Sequence, residues 1–244
     1  MNPRFLEYLK RQKAFWETSD EETARFKRVF TGERTEEEWA ASAQRDTTQV
    51  LQGVSLPEDS AVLELGCGVG RILEQVRRRV PSRRLVGVDI SESMLRFARR
   101  RLGKDPRIGL VLTNGCSLSS ISDTSINLAY SVDVLIHIHD AQMLLEYLRE
   151  VRRVLKSGGM FRFNLRRFNP EGFSNSLGGR GARWMCLLGL GSSAGHRWHP
   201  REEVEFNGNE FTEAEARRLL RRAGFSILSV WTVLPYYWCA VRKA

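Results

Sequence analysis

The sequence predicts an α/β protein built on a doubly wound, seven-stranded, mostly parallel sheet, with a helical lid before it and an insert after strand five. Three observations carry that expectation. Through residues 61–165, short apolar runs alternate with longer amphipathic stretches, the mark of successive βαβ units. The first apolar run ends in a cluster of glycines directly before a helical stretch. Two last apolar runs flank Pro235 and read as an antiparallel pair closing the sheet.

The elements follow in order. Residues 1–50 are polar and helical in pattern, with amphipathic stretches near 5–15 and over Glu36–Leu51, so 1–56 is expected to form the lid, closed by Pro57. Ala61–Leu65 (AVLEL) is a buried parallel strand, being a short apolar run without alternation. Residues 71–80 form a helix and 85–89 (LVGVD) a second strand. Ser91 caps a helix over 91–102, with Glu92 in its first turn, where an anion is favoured. Strands follow at 108–113 and Ile126–Ser131. Asp140 caps a helix over 141–155, which stops at Ser157-Gly158-Gly159, glycine being the usual terminator. Residues 160–165 are the fifth strand. The segment 168–209, rich in Gly, Ser and Asn, breaks the pattern. Thr212 and Glu215 make a capping box for a helix over 212–223 that ends at Gly224, and strands at 226–232 and 237–242 complete the sheet.

Composition narrows the class. Of 244 residues, 42% are hydrophobic and 27% charged, which excludes a wholly disordered chain, a collagen and a coiled coil. No apolar run reaches the roughly 20 residues of a membrane span. The opening residues lack the apolar core and cleavage site of a signal peptide, so none is expected. Cys67, Cys116, Cys186 and Cys239 are far apart and form no Cys-x-x-Cys pair. That argues against a zinc cluster or a disulfide framework and fits a reducing cytoplasm. The net charge of +9 invites a nucleic-acid partner, as basic charge does in general. However, 32 of the 38 basic residues are Arg, many in helical stretches such as Arg77–Arg79 and Arg99–Arg101 among Leu, Val and Phe. They read as solvated helix faces.

The strongest chemical signal is Glu64-Leu65-Gly66-Cys67-Gly68-Val69-Gly70-Arg71, where strand meets helix. Glycine lets backbone approach a ligand, and the helix start offers unpaired N–H groups. The glycines run G-x-G-x-G rather than the G-x-G-x-x-G that seats a dinucleotide pyrophosphate. Asp89 ends the next strand, and a carboxylate there can hold two ribose hydroxyls. The loop therefore suits a nucleoside whose attachment need not be a diphosphate.

At this point the chain resembles the class I S-adenosylmethionine (SAM)-dependent methyltransferases. The stretches VLELGCGVGRI, VGVDISESM, LTNG, SVDVLIHI, RVLKSGG and FTEAEARRLLRRAGF occur in that family's order over about residues 60–242. The resemblance implies SAM as cofactor and S-adenosylhomocysteine (SAH) as product. It implies that Glu64 and the loop of Gly66, Cys67, Gly68 and Gly70 hold the methionine moiety, and that Asp89 binds the ribose. Ile90 and Met94 would flank the adenine, whose edge Asn114 and Gly115 would contact. Ser131 and Val132 would line the sulfonium end. Arg45, on the lid with Trp39 and Asp46, would pair with the methionine carboxylate or else be a locally paired surface residue.

Acceptor chemistry is less legible. In such a sheet the ligand crevice lies at the carboxyl ends of the strands. Asp133, His137 and His139 follow strand four, and Asn164 and Arg166 follow strand five. His137 is the candidate general base, since imidazole titrates near neutral pH; the other reading is a structural histidine. His196 and His199 have a metal-like spacing without clustered ligands, so no metal is expected. The 168–209 insert carries Trp184, Arg197 and other aromatic and Arg residues, which suit a flat or carboxylate-bearing small molecule. Asp133, Arg166, Trp39, Trp184 and Arg197 are thus the candidate acceptor residues. The leading expectation is transfer of a methyl group to an O or N atom of a small molecule, such as a natural product or sugar. The alternatives are a tRNA or peptide methyltransferase and a non-catalytic SAM-binding protein. Oligomeric state is not legible.

Overall fold

The computed structural model describes residues 3–18, 35–138, 140–168 and 209–244. Eight strands form one sheet: β1 (Ala61–Leu65), β2 (Arg84–Asp89), β3 (Ile108–Leu112), β4 (Ile126–Ser131), β5 (Leu155–Arg167), β6 (Glu210–Phe211), β7 (Phe225–Val233) and β8 (Tyr236–Lys243). The order is β3-β2-β1-β4-β5-β8-β7, with β6 beside the end of β5. Strands β1 to β6 pair in parallel, while β8 runs antiparallel to both β5 and β7. The order reverses at β1 and β4, and a crevice opens there at the carboxyl edge.

Described helices cover both faces. They are α1 (Pro3–Trp16), α2 (Glu36–Leu51), α3 (Arg71–Arg79), α4 (Glu92–Leu102), α5 (Ala141–Val154) and α6 (Glu213–Arg222), with a 3₁₀ turn at Leu135–His137. Helices α1, α5 and α6 share a core with Leu63, Val86, Ala129, Phe161 and Phe163. On the other face α2, α3 and α4 pack against Val62, Leu85, Leu128 and Tyr130. Every residue of β1 is buried, as a strand covered on both faces requires.

The expected caps are present. Ser91 Oγ accepts from Met94 N, Asp140 Oδ1 from Gln142 N and Met143 N, and Thr212 with Glu215 closes a capping box. A second box, Thr35 with Glu38, starts α2. At the far end of α5, Lys243 Nζ donates to the carbonyls of Arg153 and Leu155, satisfying acceptors that a helix end leaves open.

Two sequence expectations are corrected. Among the described residues the sheet has eight strands, not seven: β6 is only two residues long, too short for an alternating pattern to show. It is made by the register of Arg166 and Arg167 with Glu210 and Phe211. The fifth strand also begins at Leu155 rather than at 160. Ile126 pairs with Leu155 while Leu128 pairs with Met160, so residues 156–159 form a bulge. Gly158, at φ 75°, turns the chain there, and the Ser-Gly-Gly run bends a strand instead of separating helix from strand.

Phe161 and Phe163 are fully buried on β5 and stack at 4.4 Å between ring centroids. Replacing Phe161 with Ala is expected to cost about 3–5 kcal/mol of stability, because the cavity cannot refill in a close-packed sheet. Urea denaturation measures this; a loss below about 1 kcal/mol would show that the layer collapses around the gap.

Candidate functional site

The site is built on the loop that leaves β1. Gly66 N and Cys67 N both donate to Val88 O, at 2.8 and 2.9 Å, tying the loop to the end of β2. Gly66, Gly68 and Gly70 all have left-handed backbones. At Gly66 a Cβ would overlap Val134 Cγ2, so the loop after β4 lies directly against the glycine loop. Cys67 turns away from the cavity and packs beneath, where a Cβ on Gly87 would come within 2.9 Å of its sulfur. Gly70 caps α3 with a φ of 81°.

Asp89 closes the other side. Its Oδ2 accepts from Gly68 N at 2.8 Å and its Oδ1 from Ser91 N at 2.9 Å. One carboxylate therefore joins the glycine loop to the start of α4, and it borders a cavity of about 400 Å³. Ile90, Met94, Thr113 and Gly115 form the cavity's β2–β3 end. Gly115 has φ 80°, and a Cβ there would meet Ile90 Cδ1 at 2.6 Å and Leu9 Cδ2 at 2.8 Å. Val132, Asp133 and Val134 form the middle, and His137, Arg166 and Tyr236 border the rest.

Several residues singled out from sequence are not on the cavity wall. Glu64 is buried, and its Oε2 accepts from Tyr130 OH at 3.1 Å. Burial, with the Glu64 charge beside it, pushes the Tyr130 phenol well above its ordinary range. Ser131 Oγ donates to Leu65 O, joining the ends of β4 and β1. Asn114 is exposed, and its Oδ1 accepts from Cys116 N and Ser117 N, a local turn of the kind Asn favours. Arg45 is exposed on α2, whereas Arg71 borders the cavity and is 5% exposed. Arg71 Nη2 donates to Asp46 Oδ2 at 2.7 Å and Nη1 to Ser42 Oγ at 3.0 Å. Trp39 also borders the cavity, with the Arg101 guanidinium over its ring at 4.0 Å.

Helix α1 covers the site with Tyr8, Leu9, Gln12 and Trp16. Tyr8 OH donates to His137 O at 2.8 Å, and the Trp16 ring meets the His137 ring edge-on. The helix is fastened beyond its end. Glu17 Oε1 and Oε2 accept from Glu92 N and Ser93 N, at 2.9 and 3.1 Å, and Thr18 N donates to Ser93 Oγ. Burial raises the Glu17 carboxyl, but hydrogen bonding from the Ser93 side chain and from the Glu92 and Ser93 N–H groups outweighs it and holds the group below its ordinary range. Sequence reading expected a helical lid here but singled out none of these α1 residues; the signal was the spacing of Tyr8, Gln12 and Trp16, one face of a helix. It also missed Arg71 and Tyr236.

Asp133 has a left-handed backbone, with φ 57°. Its N–H donates to Asn164 Oδ1 at 2.9 Å, and Asn164 Nδ2 donates back to Asp133 Oδ1 at 2.7 Å. His139, Trp184, His196, Arg197 and His199, with nearly all of the 168–209 insert, lie outside the described residues. Among the described residues no group of three His, Cys, Asp or Glu side chains could hold a metal ion, and no helix is long and apolar enough to cross a membrane.

Residues 62–159 match the family described as the methyltransferase domain. The trans-aconitate 2-methyltransferase of Variovorax paradoxus is 45% identical over 58 residues, which are 24% of this chain and 22% of that protein. Methyltransferase GfsG of Streptomyces halstedii is 25% identical over 199 residues, 80% of this chain and 69% of the other. The chain thus spans about a fifth of the first relative and about two thirds of the second. Among solved structures, geranyl diphosphate C-methyltransferase from Streptomyces coelicolor A3(2), in complex with Mg²⁺, geranyl diphosphate and SAH, superposes with a TM-score of 0.64 at 14% identity. That match covers 97% of this chain and 98% of the other, and it shows the shared fold.

The contact at Gly66 is directly testable. Gly66→Ala is expected to destabilise the protein by about 1–3 kcal/mol, through a left-handed backbone and the clash with Val134. Adding Val134→Ala should restore part of that loss in thermal unfolding. No recovery in the double variant would show that backbone strain alone sets the cost.

Proposed function

We propose that the protein is a class I SAM-dependent methyltransferase acting on an O or N atom of a small-molecule acceptor. The observation that carries this reading is the Asp89 carboxylate, joined to Gly68 of the G-x-G-x-G loop at the edge of one large cavity. The methyltransferase-domain match over residues 62–159 supports it. The absent Cβ at Gly66 and Gly115 lets Val134, Ile90 and Leu9 pack close against the backbone that borders the cavity, a close approach that only glycine allows. When bound, SAM supplies an electrophilic methyl group; the chain's task is to bind, orient and exclude water.

Asp89 holds the ribose hydroxyls. Ile90, Met94 and Gly115 enclose the adenine, and Gly66 to Gly70 pass beside the methionine portion. Arg71, rather than Arg45, takes the methionine carboxylate. It is buried on the cavity wall, and its Nε has no hydrogen-bond partner among the described residues. Asp46 and Ser42 hold the guanidinium in place, as a fork of fixed geometry allows. Helix α1, with Trp39 of α2, acts as the lid over the cavity.

A small acceptor is favoured over a nucleic acid by where the basic side chains go. Arg78 and Arg101 bind Glu74, and Arg77 donates to Leu102 O. These arginines of the basic helices are engaged locally. Arg166 on the cavity wall suits an acceptor that carries a carboxylate.

Calorimetry is expected to show binding of SAM and SAH and none of NAD. Asp89→Ala should weaken SAM binding by about 1.5–3 kcal/mol, roughly 10–150-fold. Asp89→Asn keeps only one of the two oxygens that accept from Gly68 N and Ser91 N, so it too should weaken binding. NAD binding without SAM binding would overturn the cofactor assignment.

The two lid-side arginines separate cleanly. Arg45→Ala should leave SAM affinity within about twofold, while Arg71→Lys should lower it about tenfold by removing the planar fork. The reverse ranking would return the carboxylate to Arg45.

A further inference from the structure

We propose that Asp133 is the residue that meets the methyl-receiving atom of the acceptor, and that this atom belongs to a hydroxyl or an amine donating a hydrogen bond to the Asp133 carboxylate. The proposal rests on the cavity being a SAM site and goes further, to the chemical class of the acceptor.

Position comes first. Along the carboxyl edge of the sheet the polar groups stand in strand order: Asp89 at β2, the glycine loop at β1, Asp133 after β4, Arg166 on β5 and Tyr236 on β8. A cofactor with its ribose at Asp89 and its methionine portion along the glycine loop turns its reactive centre toward β4 and β5. Val134 presses on Gly66, which brings Asp133 to that junction.

The local structure is built to present this side chain. A left-handed backbone at a residue other than glycine carries a modest cost and points to a requirement at that position. Here Asn164, 1% exposed on β5, holds it with two reciprocal hydrogen bonds. They engage the Asp133 N–H and Oδ1. Among the described residues Oδ2 takes no hydrogen bond, and the residue borders the cavity. Asn164 is therefore a positioning residue for Asp133.

Charge then selects the acceptor. A carboxylate beside the transfer point accepts from O–H or N–H groups and repels an anionic acceptor atom. Burial, followed by the Asp133 charge, pushes the Tyr236 phenol up while Arg166 pulls it back, so these three groups share one field. His137 is less well placed. It sits in the 3₁₀ turn beyond Val134, with its carbonyl held by Tyr8 and its ring against Trp16, on the α1 side of the cavity.

Sinefungin tests this. It is a SAM analogue with an amine-bearing carbon in place of the methylated sulfur, so it puts a cationic donor where the methyl would be; SAH has none there. Dissociation constants of both are measured by calorimetry on the full chain. The wild type should prefer sinefungin over SAH by about tenfold or more, the scale of one charge-assisted hydrogen bond. Asp133→Asn should abolish that preference while SAH affinity stays within about twofold. Asp133→Gly, which suits the left-handed backbone, should do the same if the Asn variant folds poorly. Asn164→Ala should reduce the preference by roughly threefold, about 0.7 kcal/mol, whereas a merely structural role would weaken both ligands alike. Retained preference in both Asp133 variants would overturn the proposal. So would an equal loss for both ligands, which would place Asp133 on the amino group they share. Failure of the wild type to bind SAH would overturn the cofactor reading itself, and the proposal with it.

Discussion

The site depends on one carboxylate. Asp89 accepts a backbone N–H from the glycine loop with one oxygen and from the start of α4 with the other. Hydrogen bonds to a buried anion are each worth about 1.5–3 kcal/mol. The two therefore hold a strand end, a loop and a helix in one fixed relation. The loop could otherwise sample other conformations, because each of its three glycines loses much freedom on folding. What orders the loop is also what borders the ligand cavity, so the order need not wait for a ligand.

From that carboxylate the constraint spreads outward. Ser91, whose N–H is bound by Asp89, uses its hydroxyl to cap α4 and to reach Trp16 O. Glu17 occupies the two following N–H groups, which lie at the positive end of the helix dipole. Helix α1 is thereby fastened over the cavity through the element that carries Met94, and Tyr8 makes a second attachment at His137 O.

The basic composition finds a structural use on the opposite face. Glu74 receives Arg78 and Arg101, and Arg101 in turn lies over Trp39. That ring borders the cavity from α2. Arg162, 8% exposed, donates to the carbonyls of Gln49 and Gln52 at the end of α2, where a cation is favoured. Burial there lowers its affinity for a proton. Arginine in this protein braces the helix that holds Arg71 and Trp39 to the site.

The sequence by itself determined what local spacing encodes. The alternation of short apolar runs with amphipathic stretches made the layered sheet legible. The glycines at 66, 68 and 70 marked the turn, Asp89 followed from its place at the end of a strand, and Ser91, Asp140 and Thr212 announced helix starts through their own backbone hydrogen bonds. Only the tertiary structure decided which side chains face the cavity. Arg45 and Arg71 look equally available in the sequence, but packing buries one and leaves the other exposed. Asn114 is consumed by its own turn, and Cys67 and Glu64 point into the core. Tyr8 and Trp16 come from a helix far from the motif, and Asp133 has its backbone set by a side chain on the neighbouring strand. Strand β6 exists only because two residues fall into register with the end of β5. Those outcomes depend on contacts between distant segments, and no local pattern of residues reports a distance across the fold.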